Sequence, residues 1–105
     1  MKNSNIANNV KAKHHIYLGD VDVGENTNIG CGVITANYDG KNKHKSFIGK
    51  NCFVGSNVTF VSPIRVGDNC VIGAGSTIVS NVKENSLSIA RERQINKDNY
   101  YFDKL

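Results

Sequence analysis

The sequence predicts an all-β chain wound as a parallel β-helix of hexapeptide repeats, about four coils long, with one extended loop and a C-terminal arm. Three observations carry this. The first is composition: 11 Val and 10 Ile stand against 3 Leu and 5 Ala in 105 residues. β-Branched side chains favour strands, whereas Leu and Ala favour helices. The second is spacing. Ile48, Val54, Phe60, Val66, Ile72 and Ile78 recur every six residues, a period that fits neither an α-helix nor a flat alternating strand. The third is a second inward position. Four residues after each of these comes Cys52, Val58, Ile64, Cys70, Ser76 or Val82, all small or apolar. Three hexapeptides close one triangular coil of about 18 residues, and residues one coil apart stack at about 4.8 Å. On that register Val54 sits over Ile72, Phe60 over Ile78, and Cys52 over Cys70.

The elements follow in order. Ile6, Ala12 and Leu18 set the same step in the first coil. The interval from Leu18 to Val23 is one residue short. Val23-Gly24 and Ile29-Gly30 continue the second coil, and an insertion near Asn37 to Lys45 breaks the phase. Residues 37–46 are therefore expected to loop out of the prism. The period resumes at Ile48 and runs to residue 83, so residues 1–83 form the helix domain. Residues 84–105 lose the period and gain Tyr100, Tyr101 and Phe102. They read as an arm that packs on a neighbour, with a helical turn at Gln94 to Tyr101. The Gly after each aliphatic residue is expected at a tight corner, where a side chain clashes or φ must be positive. Fifteen Asn supply further turn residues. A left-handed sense comes from the hexapeptide class alone.

Charge and cysteine content narrow the function. The net charge is +4, which suits a small anionic ligand as well as simple solubility and does not single out nucleic acid. No apolar stretch approaches the length of a membrane span, so no membrane partner is expected. Residues 1–10 are polar and lack a signal-peptide core, which points to a cytoplasmic location. Three Cys without a C-x-x-C spacing read as free thiols, with Cys52 and Cys70 as core fillers.

Several stretches are more specific. They are Lys11-Ala12-Lys13-His14 with Tyr17-Leu18-Gly19-Asp20, then Val23-Gly24-Glu25-Asn26-Thr27-Asn28-Ile29-Gly30, then Thr35-Ala36-Asn37-Tyr38-Asp39-Gly40-Lys41-Asn42-Lys43. The pattern continues through Phe53-Val54-Gly55-Ser56, Pro63, Gly73-Ala74-Gly75-Ser76-Thr77, Ile89-Ala90-Arg91 and Arg93-Gln94-Ile95-Asn96-Lys97-Asp98. Together these resemble the C-terminal acetyltransferase domain of the bacterial bifunctional N-acetylglucosamine-1-phosphate uridylyltransferase / glucosamine-1-phosphate N-acetyltransferase, truncated at its N-terminus. The Asn-Tyr-Asp-Gly loop is more telling than the hexapeptides, which many acyltransferases share.

The resemblance implies a homotrimer of left-handed β-helices with an active site at each subunit junction. It implies acetyl transfer from acetyl-CoA to the amine of glucosamine-1-phosphate, on the way to UDP-N-acetylglucosamine and cell-wall polymers, with no metal in this half. His14 matches the catalytic base, and an imidazole suits removal of a proton from an amine near neutral pH. Lys2, Tyr17 and Asn28 match substrate-binding positions, with Lys2 at the phosphate. Cys31, Asn37, Tyr38, Lys43, Ser56, Ala74 and Arg91 match positions on acetyl-CoA. Ser56 or a nearby backbone N–H is the candidate to stabilise an oxyanion.

Each residue has a plainer reading beside this one. An isolated His is more often a surface residue on a coil corner, and the run Lys41 to Lys45 alone reads as a solvated loop. Lys2 alone reads as a terminal charge, and Ser56 and Ala74 as ordinary hexapeptide packing. Lys13, His15 and Cys31 depart from the family pattern. The uridylyltransferase domain and the first coils of the acetyltransferase domain are absent from the matched stretch. That leaves room for a separate uridylyltransferase chain as partner, or for a non-catalytic trimeric fragment. His14, His15 and His44 also raise a metal-dependent, carbonic-anhydrase-like hexapeptide protein, against which their spacing and the Asn-Tyr-Asp-Gly loop argue.

Overall fold

A computed structural model describes residues 3–101 of the chain. Lys2, expected at a ligand phosphate, and Phe102 of the arm lie outside the described residues. Among the described residues twelve short strands, all paired in parallel, make three sheets that are the three faces of a left-handed β-helical prism. The first face carries β1 (Asn5–Ile6), β3 (Val21–Val23), β6 (Ser46–Ile48) and β9 (Arg65–Val66). The second carries β2 (Lys11–Ala12), β4 (Asn28–Ile29), β7 (Phe53–Val54), β10 (Val71–Ile72) and β12 (Leu87–Ser88). The third carries β5 (Ile34–Ala36), β8 (Thr59–Val61) and β11 (Thr77–Ile78), with Tyr17 bridged to Ile34.

Both predicted inward positions face the core. Val54, Phe60 and Ile72 are at most 1% exposed, and so are Val58, Cys70 and Ser76. Val54 pairs with Ile72, and Phe60 with Ile78, as the repeat requires. The thiols of Cys52 and Cys70 each meet carbonyl oxygens, those of Gly67 and Lys83 at 3.2 and 3.1 Å. Burial pushes the Cys52 thiol up from its ordinary pKa, which suits packing rather than reaction. The register absorbs the irregular intervals whole. Lys11 pairs with Asn28 across the short interval. Asn28 pairs with Phe53 across the insertion.

The structure decides between the two reasons expected for Gly at the corners. The Gly after each aliphatic residue is needed for space and not for backbone angle. A Cβ on Gly55 would lie 2.6 Å from the Ala74 nitrogen, and one on Gly49 2.7 Å from that of Asp68. Neither Gly has positive φ. The left-handed backbone falls two residues later. At one corner it falls on Asn9, Asn26, Asn51, Asn69 and Asn85, with φ of 61, 59, 57, 59 and 60°. Asn tolerates that region better than other residues with a Cβ. The 15 Asn are thus explained in part by one ladder of corners.

Two boundaries differ from the sequence expectation. Asn37 and Ser46, expected in the loop, are buried in the prism wall, so residues 38–45 alone project. Leu87–Ser88, expected in the arm, form β12 on the second face, so the chain leaves the prism later. A helical turn begins at Tyr100, where the described residues end.

Candidate active site

The second corner of each coil stacks four accessible residues. The register of the second face places His14 beside Cys31, Cys31 beside Ser56, and Ser56 beside Ala74. All four are exposed. The carbonyls of the column accept hydrogen bonds from the neighbouring coil or beyond it. Gly32 N–H donates to His14 at 3.3 Å, Asn57 N–H to Cys31 at 2.8 Å, and Gly75 N–H to Ser56 at 2.8 Å. At the end of the column the Arg91 guanidinium donates through Nη1 to the Ala74 carbonyl at 2.5 Å. An arginine side chain there takes the place a further corner N–H would fill. The residue beside each column member has positive φ: His15 at 47°, Gly32 at 77°, Asn57 at 58° and Gly75 at 75°. His15 therefore serves a corner, which accounts for its unusual position.

A cavity opens at the foot of the column. His14, Asn28 and Cys31 line it, together with Lys11 and Lys13. The chain thus brings the expected base, one expected sugar-phosphate residue and one expected acetyl-CoA residue to the same concave surface. Two ammonium groups flank it, which suits an anionic ligand. Lys13 departs from the family pattern, and its place in this wall explains how the cavity gains charge.

A second group lies at the far edge of the third face. Tyr17 starts that face, and its hydroxyl reaches over Gly19 to the neighbourhood of Asn37. A Cβ on Gly19 would meet the Asn37 Nδ2 at 2.6 Å and the Tyr17 hydroxyl at 2.7 Å. Asn37 Nδ2 donates to Asp20 Oδ2 at 2.6 Å, and the Asn37 carbonyl accepts from His44 N–H at 2.6 Å. The Thr35 hydroxyl donates to the Gly19 carbonyl and accepts from its N–H, at 2.9 and 2.8 Å. Gly19, Asp20 and Thr35 were not anticipated as site residues. The signal available for them was the short Leu18 to Val23 interval, which draws the chain in at this corner.

Tyr38 is 58% exposed and pairs with Lys43 across a tight antiparallel bridge. Asp39 closes that loop. Its Oδ1 accepts from the Lys41 and Asn42 amides at 2.8 and 2.7 Å, and its Oδ2 lies 2.7 Å from His44 Nε2. The Asn42 amide, then the His44 ring and the Lys41 amide, hold the Asp39 carboxyl well below the usual carboxylate range. A carboxyl with a lowered folded pKa supports the fold above its unfolded value, about 3.9. That support is lost as pH falls through the folded value. The Lys41 and Asn42 amide proton shifts are accordingly expected to show their carboxylate transition only below about pH 4. Asp39→Ala removes their downfield positions at every pH. Amide shifts that titrate with a midpoint near 4 contradict the clasp. Among the described residues no group of three His, Cys, Asp or Glu side chains could hold a metal ion.

Comparison with known proteins bears on the whole chain. A family model described as the hexapeptide repeat of succinyl-transferase matches residues 47–80. The chain is similar to the bifunctional protein GlmU of Thermus thermophilus, 62% identical over 105 residues, which are 100% of this chain and 23% of that protein. GlmU of Thermosipho melanesiensis is 53% identical over 98% of the chain and 23% of its own length. For GlmU of Staphylococcus epidermidis the figures are 49%, 95% and 22%. The chain therefore spans less than a quarter of the length of the curated relatives it matches. Among solved structures, serine acetyltransferase isoform 3 of Entamoeba histolytica, in complex with cysteine, aligns with 94% of this chain and 40% of its own. Its identity is 25% and its TM-score 0.49, too loose a likeness to bear on the site.

Proposed function

The chain is a hexapeptide-repeat β-helix similar along its whole length to the acetyltransferase part of bifunctional GlmU proteins, and on that premise we propose that it transfers acetyl from acetyl-CoA to the amine of glucosamine-1-phosphate. The observation that carries this reading is the column His14, Cys31, Ser56, Ala74, accessible along its length and ended by Arg91. The small residues leave room for an extended arm lying along the corner. Arg91 and Lys43 supply positive charge for the cofactor's phosphates. Asn37 borders the same ligand from the prism wall and Tyr38 from the loop.

His14 takes the proton that the attacking amine must lose and returns it to the departing thiolate side of the reaction. Lys2, Tyr17 and Asn28 hold the sugar phosphate. Ser56 or a backbone N–H beside it faces the charge that develops on the carbonyl oxygen. In this reading three copies assemble, and each site is completed by a neighbour. The outward apolar stripe of Phe53, Val71 and Leu87, 55, 45 and 65% exposed, supports such an assembly. A cytoplasmic setting belongs to the same reading.

The test is release of free thiol by the chain from acetyl-CoA with and without glucosamine-1-phosphate. Thiol release in step with N-acetylated sugar phosphate is the expected result. Release that is indifferent to the sugar phosphate overturns the acceptor. Tight binding of acetyl-CoA without turnover favours a subunit of a split enzyme, and no binding removes both readings.

A further inference from the structure

We propose that Asp20 is a positioning residue that fixes the carboxamide of Asn37, committing its nitrogen to the protein and turning its oxygen toward a ligand N–H. The inference rests on the acetyl-CoA reading for the identity of the ligand, and on geometry alone for the orientation. Asp20 and Asn37 are stacked neighbours, in the same pair of coils that bridges Tyr17 to Ile34.

An ionised carboxylate only accepts hydrogen bonds, so the group that meets it must be the amide nitrogen. The reverse orientation would set Asn37 Oδ1 against Asp20 Oδ2 at a hydrogen-bond distance, two acceptors with no proton between them. The Nδ2 to Oδ2 separation of 2.6 Å marks a charge-assisted bond, short and strong. Its surroundings leave little freedom. Asn37 is 6% exposed. Its backbone carbonyl is held by His44 N–H. The Asp20 carbonyl accepts from Ser46 N–H at 2.8 Å, and Asp20 itself sits at φ 51°. Gly19 has no side chain to displace the carboxamide or the Tyr17 ring.

No buried side-chain nitrogen or oxygen among the described residues lacks a hydrogen-bond partner, and nothing among them donates to Asn37 Oδ1. That oxygen is therefore reachable from outside. A site built this way selects a donor. Amide N–H groups of an acetyl-CoA arm are such donors; a carbonyl or phosphate oxygen is not. The preference follows from Asp20 and not from Asn37, whose carboxamide would otherwise serve either way round.

Asp20→Asn isolates this property. Asn matches Asp in shape and accepts positive φ, so the corner is kept while the fixed polarity is lost. Two measurements on the whole chain decide the matter. In wild type one Asn37 side-chain amide proton is expected downfield and slow to exchange, and in Asp20→Asn it returns to the range of the other Asn amides. An Asn37 amide in wild type indistinguishable from the exposed ones overturns the positioning. In titrations with acetyl-CoA, Asp20→Asn is expected to weaken binding about 5- to 20-fold, roughly the loss of one hydrogen bond to a ligand, while the chain stays folded at the assay temperature. Unchanged affinity overturns the link to the ligand. If wild type binds no acetyl-CoA, the proposed function falls with that link, while the amide resonance still decides what Asp20 does to Asn37.

Discussion

Replacing His14 by Ala is expected to lower the rate of acetyl transfer about 10²- to 10⁴-fold, the usual contribution of a positioned general base. Structure makes this a clean substitution. His14 is exposed, and the bond that ties it into the column runs from Gly32 N–H to its backbone carbonyl. Ala keeps that carbonyl, so the melting temperature should hold while the rate falls. The neighbour offers a control. His15 occupies a left-handed corner at φ 47°, and His15→Asn preserves that conformation, so it should leave the rate within about twofold. Steady-state thiol release across pH 6 to 9 separates the cases. A lower rate in His14→Ala across that range, with the rate of His15→Asn held, assigns the base to His14. Equal rates for wild type and His14→Ala remove His14 from the chemistry.

The largest effect on the fold is expected from Phe60→Ala, a loss of about 3–5 kcal/mol in chemical denaturation. Phe60 is fully buried, the largest side chain of the prism interior. It stacks between Thr35 on one coil and Ile78 on the next, both also shielded from water. Collapse around the vacated volume is resisted by the ladder, because strands on three faces fix the spacing of the coils at about 4.8 Å. A cavity that cannot relax costs more than the lost transfer energy alone. Domains of this size have roughly 5–15 kcal/mol in total, so a large share of the stability is at stake. Phe53→Ala provides the contrast. Phe53 points outward and is 55% exposed, and the separated chain should lose less than about 1 kcal/mol there. A Phe60→Ala loss no greater than the Phe53→Ala loss contradicts the packing.

Much of this architecture is legible in the residues because a repeat states each inward position many times over. Ile48 to Ile78 fix the faces by their step, and the stacking of Val54 on Ile72 follows without further information. The corners are less legible. A Gly after an aliphatic residue suggests either a clash or a positive φ, and what decides between them is how closely the next coil's backbone approaches, 2.6 Å at Gly55. That distance has no signature in one chain segment. The column at the second corner is hidden for another reason. His14, Cys31, Ser56 and Ala74 stand at unequal intervals along the chain, so no single period finds them. The roles suggested by resemblance name these residues one at a time and do not say that they align. Asp20 is harder still, since its importance lies in the hydrogen bond it accepts from a residue on the neighbouring coil.

The uneven separations along that corner have a consequence for what the molecule can measure. Loops of any length leave the faces at their corners, yet each coil advances the stack by one strand spacing. Three spacings of about 4.8 Å set His14 roughly 14 Å from Ala74, whatever the number of residues between them. The corner is thus a ruler graduated in coils. Lengthening the projecting loop leaves its graduations untouched, whereas deleting one whole coil between Cys31 and Ser56 would bring the two ends closer by one division. The length of an arm that can lie between them is written into the count of turns, not into the sequence of any one of them.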